Sequence, residues 1–182
     1  IHNLGKSNFN VANRWSSKKV KGVGSVYLID QRKHKQYKNG NIGYLWRIDS
    51  GDGRYYLSGA ALSAVLGAMC SLGYAEYTGS GFSCKDGSPG DSVSHLNGEN
   101  GDFRYIAINN RHMNELTYTS HKHFDWDKNV DFLNALYKFG YKLFGSNPVK
   151  IKENKLLPHS KSWSGHNNHV HLHNFNPNLE DI

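Results

Sequence analysis

The sequence predicts a single α+β domain, in which a small antiparallel sheet is flanked by helices and joined by long loops. Short alternating segments that are typical of strands stand near both ends of the chain. Two stretches with helical patterns lie between them, separated by a long segment rich in Gly, Ser, Asn and Asp. No internal repeat appears in the 182 residues, so one domain is the simplest organisation.

The N-terminal part, residues 1–57, is basic and aromatic and is predicted to be rich in strands. Its segments "GSVYLID" and "GYLWRID" alternate between apolar and polar residues, and Gly-Asn and Asp-Gly turns close them. Residues 58–72 are mostly small and apolar, with Ser58 as the expected N-cap and Gly73 as the expected C-cap. We therefore predict a buried helix at the start of a core that extends over residues 58–175.

The later elements follow the same reasoning. Residues 78–101 have the composition of a loop, and the alternation in "GDFRYIAI" predicts a strand that begins near Asp102. An amphipathic helix follows, with Asp127 as its expected N-cap and Gly145 at its end. The segment "VKIKENKLL", residues 149–157, alternates like a strand, and "HVHLHNF" does so again near the C-terminus.

The formal charge of +7 predicts an anionic partner, either nucleic acid or a polymer of the cell envelope. The most apolar run, residues 59–72, is shorter than the roughly 18 residues of a membrane span, so no span is expected. Because the sequence starts at Ile1 without a basic and then apolar leader, we expect a processed product or an excised domain.

The two cysteines, Cys70 and Cys84, stand outside any CxxC pair, which argues against a zinc-thiolate site. We favour a disulfide between the end of the first helix and the following loop, which would imply an oxidising compartment. Two free buried thiols are the alternative.

Four of the eleven histidines fall within "GHNNHVHLHN". If this segment is a strand, His169, His171 and His173 share one face, whereas Val170 and Leu172 face the core. Two neighbouring imidazoles on one face can share a metal, or divide metal binding and proton transfer between them. A polar edge strand that exposes its histidines to water is the alternative. His173 lies on the same face two residues after His171, and we predict no functional role for it.

A catalytic zinc site needs three protein ligands, so this strand requires partners from elsewhere. His95 and Asp102 stand at the two ends of a turn that contains Gly98, and such a turn can bring an imidazole and a carboxylate onto one metal. The remaining upstream candidates are His112, His121 and His123. The last two form a second HxH pair, for which a solvated loop is the better interpretation.

This combination resembles the LAS group of zinc peptidases (lysostaphin, D-Ala-D-Ala peptidase and hedgehog signalling domain). Their pattern is His, then Gly at the third and Asp at the seventh position after it, and a much later terminal His. The matching residues are His95, Gly98, Asp102 and His171. The penicillin-insensitive murein endopeptidases are the most similar branch, because they end in His, two residues and HxH, as "HNNHVH" does at 166–171.

The resemblance covers about residues 90–175 and implies that the chain is a single zinc peptidase domain. By it, His95, Asp102 and His171 hold one Zn²⁺ per chain. His169 and His166 line the site as catalytic groups. The implied chemistry is amide hydrolysis by metal-activated water.

The sequence departs from this pattern beside the ligands. Asn168 stands where many relatives have an acidic residue, Val93 where they have Ser, and Gly101 precedes the Asp ligand without the usual Ala. An amide does not usefully accept a proton, so the role of general base would fall on His169 or His166.

The resemblance further implies a peptidoglycan hydrolase, an endopeptidase or carboxypeptidase that acts on stem peptides or cross-links. The basic charge suits an anionic wall, and no nucleic-acid partner is then expected. Such a protein would be periplasmic or secreted and, as an antibacterial effector, would have an immunity or inhibitor protein as partner.

Two other functions remain open. One is a metal-dependent nuclease of the HNH type, which would need a helix after its hairpin, whereas only "NFNPNLEDI" follows the HxH strand. The other is a zinc-binding module without catalysis, which recognises the wall or a partner.

Overall fold

The structure, a computed structural model, describes residues 26–177 and three short strands before them. The first two positions of the predicted "GSVYLID" strand, 24–25, and the tail after Pro177 lie outside the described residues. The strands are β1 (Gly5–Ser7), β2 (Asn10–Ala12), β3 (Lys19–Lys21), β4 (Val26–Asp30), β5 (Gln36–Asn39), β6 (Ile42–Ile48), β7 (Tyr56–Ser58), β8 (Ala75–Gly81), β9 (Gly101–Arg104), β10 (Tyr141–Ser146), β11 (Ser160–Ser162) and β12 (His169–Phe175). The helices are α1 (Gly59–Ser71) and α2 (Trp126–Lys138), with 3₁₀ turns at Gln31–Lys33, Ile108–Met113 and Lys150–Lys152.

Seven strands form the central sheet, in the order β11–β10–β12–β9–β8–β6–β5. The predicted α+β class and single domain are confirmed, but the sheet is larger than predicted and is mixed. The pairs β6–β8 and β10–β11 are parallel. Parallel neighbours require a crossover, and β7 and α1 supply the one between β6 and β8. Strands β1, β4 and β7 form a second sheet, in the order β1–β4–β7, and β2 pairs with β3.

The sheet buries one face against α2, and this decides where the histidines of β12 lie. The Phe132 ring of α2 packs on Tyr77 of β8 and Phe103 of β9, with ring centroids 4.7 and 5.2 Å apart. Val170 and Leu172 are fully buried, as their alternation predicts. The side chains between them in sequence therefore point to the opposite face of the sheet.

The predicted first helix is confirmed. Ser58 caps it, because its hydroxyl oxygen accepts a hydrogen bond from the Ala61 N–H at 3.2 Å. Gly73 follows the helix with φ +78°, the left-handed conformation that commonly ends helices at glycine. The residues that this helix buries are Ala61, Leu62, Ala64, Val65, Ala68 and Met69.

The loop predicted at 78–101 starts later in the structure, because Thr78–Gly81 belong to β8. The glycines that suggested a loop serve packing instead: a Cβ on Gly79 would lie 3.0 Å from the Trp46 indole nitrogen and 3.1 Å from the Phe82 ring. Composition thus indicated a loop at a position where the sheet needs room for two aromatic rings.

The second helix differs from the prediction at both ends. Asp125, not Asp127, is its N-cap and accepts a hydrogen bond from the Lys128 N–H at 3.1 Å. The helix ends at Lys138, and the chain reverses at Gly140, where φ is +117°. The apolar residues beyond this point belong to β10, since a few apolar positions fit either a helical or a strand period.

The strand predicted at 149–157 is absent from the structure. Val149 and Leu157 are buried, but every residue between them is exposed, and the segment forms a 3₁₀ turn. Glu153 and Asn154 have left-handed backbones, which breaks any extended pairing. The two buried residues anchor a surface loop between β10 and β11.

Cys70 and Cys84 are both free thiols, so the disulfide that we favoured is not formed. Each is partly buried, which corresponds to the alternative of two separate thiols. In the described part of the chain, neither helix has the length and apolarity that crossing a membrane requires.

Candidate metal centre

Three side chains from three separate segments meet at the face of the sheet away from α2. His171 on β12 and Asp102 on β9 are directly opposite each other in the ladder, and His95 comes from the loop before β9. The His171 Nδ1 atom lies 2.8 Å from Asp102 Oδ1, and His95 Nε2 lies 3.2 Å from each of these atoms. The sheet register therefore brings together the three residues that the sequence pattern selected as ligands.

The spacing of these atoms fits a shared cation. A tetrahedral zinc ion with bonds of about 2.0–2.1 Å holds its ligand atoms about 3.3 Å apart. The three distances between the ligand atoms, 2.8 and twice 3.2 Å, lie close to this value. Within the described residues, this is the group of histidine and carboxylate side chains arranged to hold a metal ion.

His95 is fully buried, and its second nitrogen is held in place. Nδ1 lies 3.0 Å from the Phe82 carbonyl oxygen, which can only accept a hydrogen bond. Donation from Nδ1–H to this oxygen leaves the lone pair on Nε2, facing Asp102 and His171. The Arg54 guanidinium lies 3.3 Å from the same Nδ1 and is held by an ion pair with Asp52.

His171 presents Nδ1 to the group, whereas His95 presents Nε2. When Nδ1 carries the lone pair, Nε2 carries the proton, and Ser94 Oγ lies 3.1 Å from Nε2 to accept it. Both imidazoles thus have an outer partner that fixes the ring, as ligand histidines usually do. Burial lowers the pKa of His171 in spite of the opposing Asp102 charge, which favours the neutral form that a metal requires.

Asp102 remains ionised in this environment. Burial alone would raise the pKa of Asp102, but the adjacent imidazoles of His171 and His95 outweigh burial and hold the pKa well below its usual range. Two imidazoles and one carboxylate make a donor set that suits a divalent cation such as zinc.

The loop between His95 and Asp102 requires a glycine at position 98. Its φ is +69°, and a Cβ there would lie 2.4 Å from the Ser58 backbone nitrogen. The same close approach lets the Gly98 carbonyl accept a hydrogen bond from the Ser58 N–H at 2.9 Å. Only glycine fits this contact, which ties the loop carrying His95 to the start of α1.

An open groove of about 260 Å³ runs beside the three ligands. Trp163 forms one wall, and it packs so closely on β10 that a Cβ on Gly145 would lie 2.1 Å from its ring. The ring centroids of Trp163 and His171 are 5.5 Å apart. The residues that line the groove are Ser92, Val93, Ser94, Asp102, Trp163, His166, His169 and His171.

His169 is placed beside the ligands but outside their cluster. Its Nε2 lies 4.0 Å from Asp102 Oδ2, and its Nδ1 lies 2.7 Å from Asn168 Oδ1. Burial lowers its pKa to about 4, although the Asp102 charge acts in the opposite direction. The ring is therefore neutral at physiological pH and able to accept a proton.

His166 reaches the groove from the loop before β12. Its Nδ1–H donates to the Ser164 carbonyl oxygen at 2.9 Å, which leaves Nε2 as the free nitrogen. Its ring centroid is 4.7 Å from that of His169. The fully buried Tyr105 donates its hydroxyl proton to the His166 carbonyl at 2.8 Å and so fixes the loop.

The remaining histidine candidates lie outside this cluster. His112 is buried with both ring nitrogens occupied by backbone groups, at 3.1 Å from the Ala107 nitrogen and 2.9 Å from the Glu76 carbonyl oxygen. His121 and His123 lie in a loop, as predicted, although they are half-buried and contact each other. His173 lies beyond His171 and contacts Trp163, with centroids 5.7 Å apart.

Several contributing residues were not predicted from the sequence as parts of the site. Ser94 directly precedes His95, so its place beside a ligand could have been inferred from the sequence. The family pattern instead has a serine one position earlier, where this chain has Val93. Trp163 stands three residues before His166 without a motif of its own. Arg54 is 41 residues away from His95 in the chain, and nothing in the sequence connects the two.

Comparisons with known proteins assign no family to this chain. No protein-family model matches it, and no curated protein does so either. The geometry of the site and the sequence pattern are therefore the observations that bear on its function.

Proposed function

We propose that the protein is a zinc-dependent hydrolase that cleaves amide bonds in the peptides of peptidoglycan. One observation carries this proposal: a group of two imidazoles and one carboxylate lies at an open groove, which is also lined by His166 and His169. The three ligand residues would be His95, Asp102 and His171.

The number of ligands supports a catalytic site over a structural one. Structural zinc sites are usually closed by four protein ligands, whereas catalytic sites use three and leave one position open. Within the described residues the group has three members, and two of them, Asp102 and His171, line the groove. A substrate in the groove would therefore reach the metal position directly.

A zinc ion held there would supply a Lewis acid that polarises the scissile carbonyl and acidifies water. The chain's own residues would manage the protons. His169 is neutral and close to the ligands, so it is suited to take a proton from water and return it to the leaving amine. His166, 4.7 Å away between ring centroids, would orient the water or stabilise the developing oxyanion.

The substrate class rests on the resemblance to the LAS peptidases and on the charge of +7, which suits an anionic wall. A periplasmic or secreted location follows from that substrate, as does an immunity or inhibitor protein if the chain is an effector. The free thiols of Cys70 and Cys84 lend this location no support of their own.

Digestion of purified peptidoglycan, followed by mass spectrometry, tests the proposal. We expect new peptide termini from the zinc-loaded protein and none from His95→Ala, which should also lose the metal. His121→Ala is a matched control, because it removes a histidine outside the site. Zinc binding without release of fragments from several wall types would favour a binding module instead, and plasmid cleavage that needs Mg²⁺ would favour a nuclease.

A further inference from the structure

His169 is useful as a proton acceptor only in one of its two neutral forms. A neutral imidazole carries its proton on one ring nitrogen and a lone pair on the other. Nε2 of His169 faces the ligand group, at 4.0 Å from Asp102 Oδ2, whereas Nδ1 points away from it. A general base at this position therefore needs its proton on Nδ1.

The residue before it in the chain decides between the two forms. Asn168 Oδ1 lies 2.7 Å from His169 Nδ1, a short hydrogen bond between neighbours in sequence. An amide oxygen can only accept, so this contact requires the proton on Nδ1. Both side chains are partly buried, which limits competition from water.

We propose that Asn168 is a positioning residue, which fixes the tautomer of His169 so that the lone pair on Nε2 faces the metal position. The kinetic part of this inference rests on the proposed hydrolase function; the structural part does not. Asn168 stands where many peptidases of the group that the sequence resembles have an acidic residue. The role of general base would then fall on His169.

The charge balance of the site agrees with an amide here. Asp102 is already ionised among the ligands, and its Oδ2 lies 4.0 Å from His169. A carboxylate at position 168 would add a second negative charge on the other side of the same ring. A neutral acceptor gives the same tautomer without attracting a proton to Nε2.

Nitrogen NMR of zinc-loaded protein tests the tautomer directly, because Zn²⁺ is diamagnetic and the two kinds of imidazole nitrogen have well separated ¹⁵N shifts. Spectra of ¹⁵N-histidine-labelled protein would be recorded near pH 8, above the usual histidine pKa of about 6.5. The signals of His169 are identified by their loss in His169→Gln. We expect a proton on Nδ1 in the wild type and in Asn168→Asp.

Asn168→Ala should populate both tautomers and shift the two His169 signals towards each other. If wild-type Nδ1 carries the lone pair, or if Asn168→Ala leaves the ¹⁵N shifts unchanged, the inference is overturned. This readout needs no substrate, so it can succeed or fail independently of the hydrolase proposal. Bound zinc and thermal unfolding show whether each variant is folded.

Kinetics on peptidoglycan fragments then separate positioning from structural support. Asn168→Ala should lower kcat about tenfold, with little change in KM, as expected for loss of one orienting hydrogen bond. Asn168→Asp should restore most of this loss, and Asn167→Ala, which changes an exposed neighbour, should match the wild type. Equal losses in Asn168→Asp and Asn168→Ala would contradict the proposed role.

Discussion

The chain contains two HxH pairs, and the structure treats them differently. His121 and His123 lie in a loop, where their ring nitrogens are 3.2 Å apart and His121 Nδ1 also faces the Tyr118 N–H. The polar contacts of this pair are therefore between the two rings and with the backbone. His169 and His171 lie on a strand, and the register of the sheet places Asp102 opposite His171.

The difference shows which features turn such a pair into part of a group that could hold a metal ion. A strand holds alternate side chains on one face, and a neighbouring strand at the right register adds a carboxylate. The outer nitrogen of each ligand ring also needs a fixed partner, which Ser94 gives to His171 and the Phe82 carbonyl gives to His95. The loop pair shares the spacing but has neither feature.

The largest expected effect comes from removing one ligand from the strand pair. His171→Ala should weaken zinc binding on the order of 10³-fold, since one of three ligands of a site worth about 10 kcal/mol or more is lost. Competition with a coloured chelator measures the affinity. His123→Ala should leave it unchanged; equal losses in the two variants would abolish the distinction between the pairs.

The second prediction separates the two members of the strand pair. His169→Ala should bind nearly one zinc per chain yet lose about 10²- to 10⁴-fold in kcat, the usual contribution of a general base. Metal analysis and turnover of wall fragments are measured on the same preparation. His173→Ala, on the same strand, should change kcat by less than about threefold. Loss of zinc from His169→Ala would mean that this residue is a ligand.

The third prediction concerns the partner of a ligand ring. Ser94→Ala removes the acceptor for the His171 Nε2–H, so zinc affinity should fall about 10- to 100-fold. Ser94→Thr keeps a hydroxyl and should retain most of the affinity. An unchanged affinity in Ser94→Ala would show that the sheet alone orients His171.

Much of this site was predictable because its residues are local in sequence or periodic. The alternation of "HVHLHNF" fixed which histidines share a face, and the spacing of His95, Gly98 and Asp102 indicated a turn that can close on a metal. The pairing of β12 with β9 between two distant parts of the chain was not readable from either strand. Arg54 and Trp163 reach the site only through that tertiary arrangement.

The errors in the fold have a common physical origin. Glycines in β8 and apolar residues in β10 carry weak local signals, which packing against distant aromatic rings and a strand partner overrides. The same applies to 149–157, whose alternation is that of a strand although only Val149 and Leu157 are buried. Local pattern predicted the first helix with its cap and the strand His169–Phe175, and it failed where tertiary contacts decide.

The smallest expected effect concerns a histidine whose nitrogens are both committed to the backbone. Burial lowers the pKa of His112, and its ring accepts from the Ala107 N–H and donates to the Glu76 carbonyl. Because the unfolded chain binds this proton more tightly, the stabilisation is fully present above the unfolded pKa of about 6.5. It is lost as pH falls from 6.5 through the lower pKa of the folded state.

Urea unfolding between pH 7.5 and 5 tests this last prediction against His112→Gln. The variant should be less stable at pH 7.5 by about 1–3 kcal/mol, because it loses buried hydrogen bonds. The difference between the two free energies of unfolding should shrink on acidification by at most about 1.4 kcal/mol per pH unit, the limit for one proton. Other histidines titrate in both proteins and cancel in this difference. Parallel curves would show that folding leaves the pKa of His112 unchanged, and they would contradict this prediction.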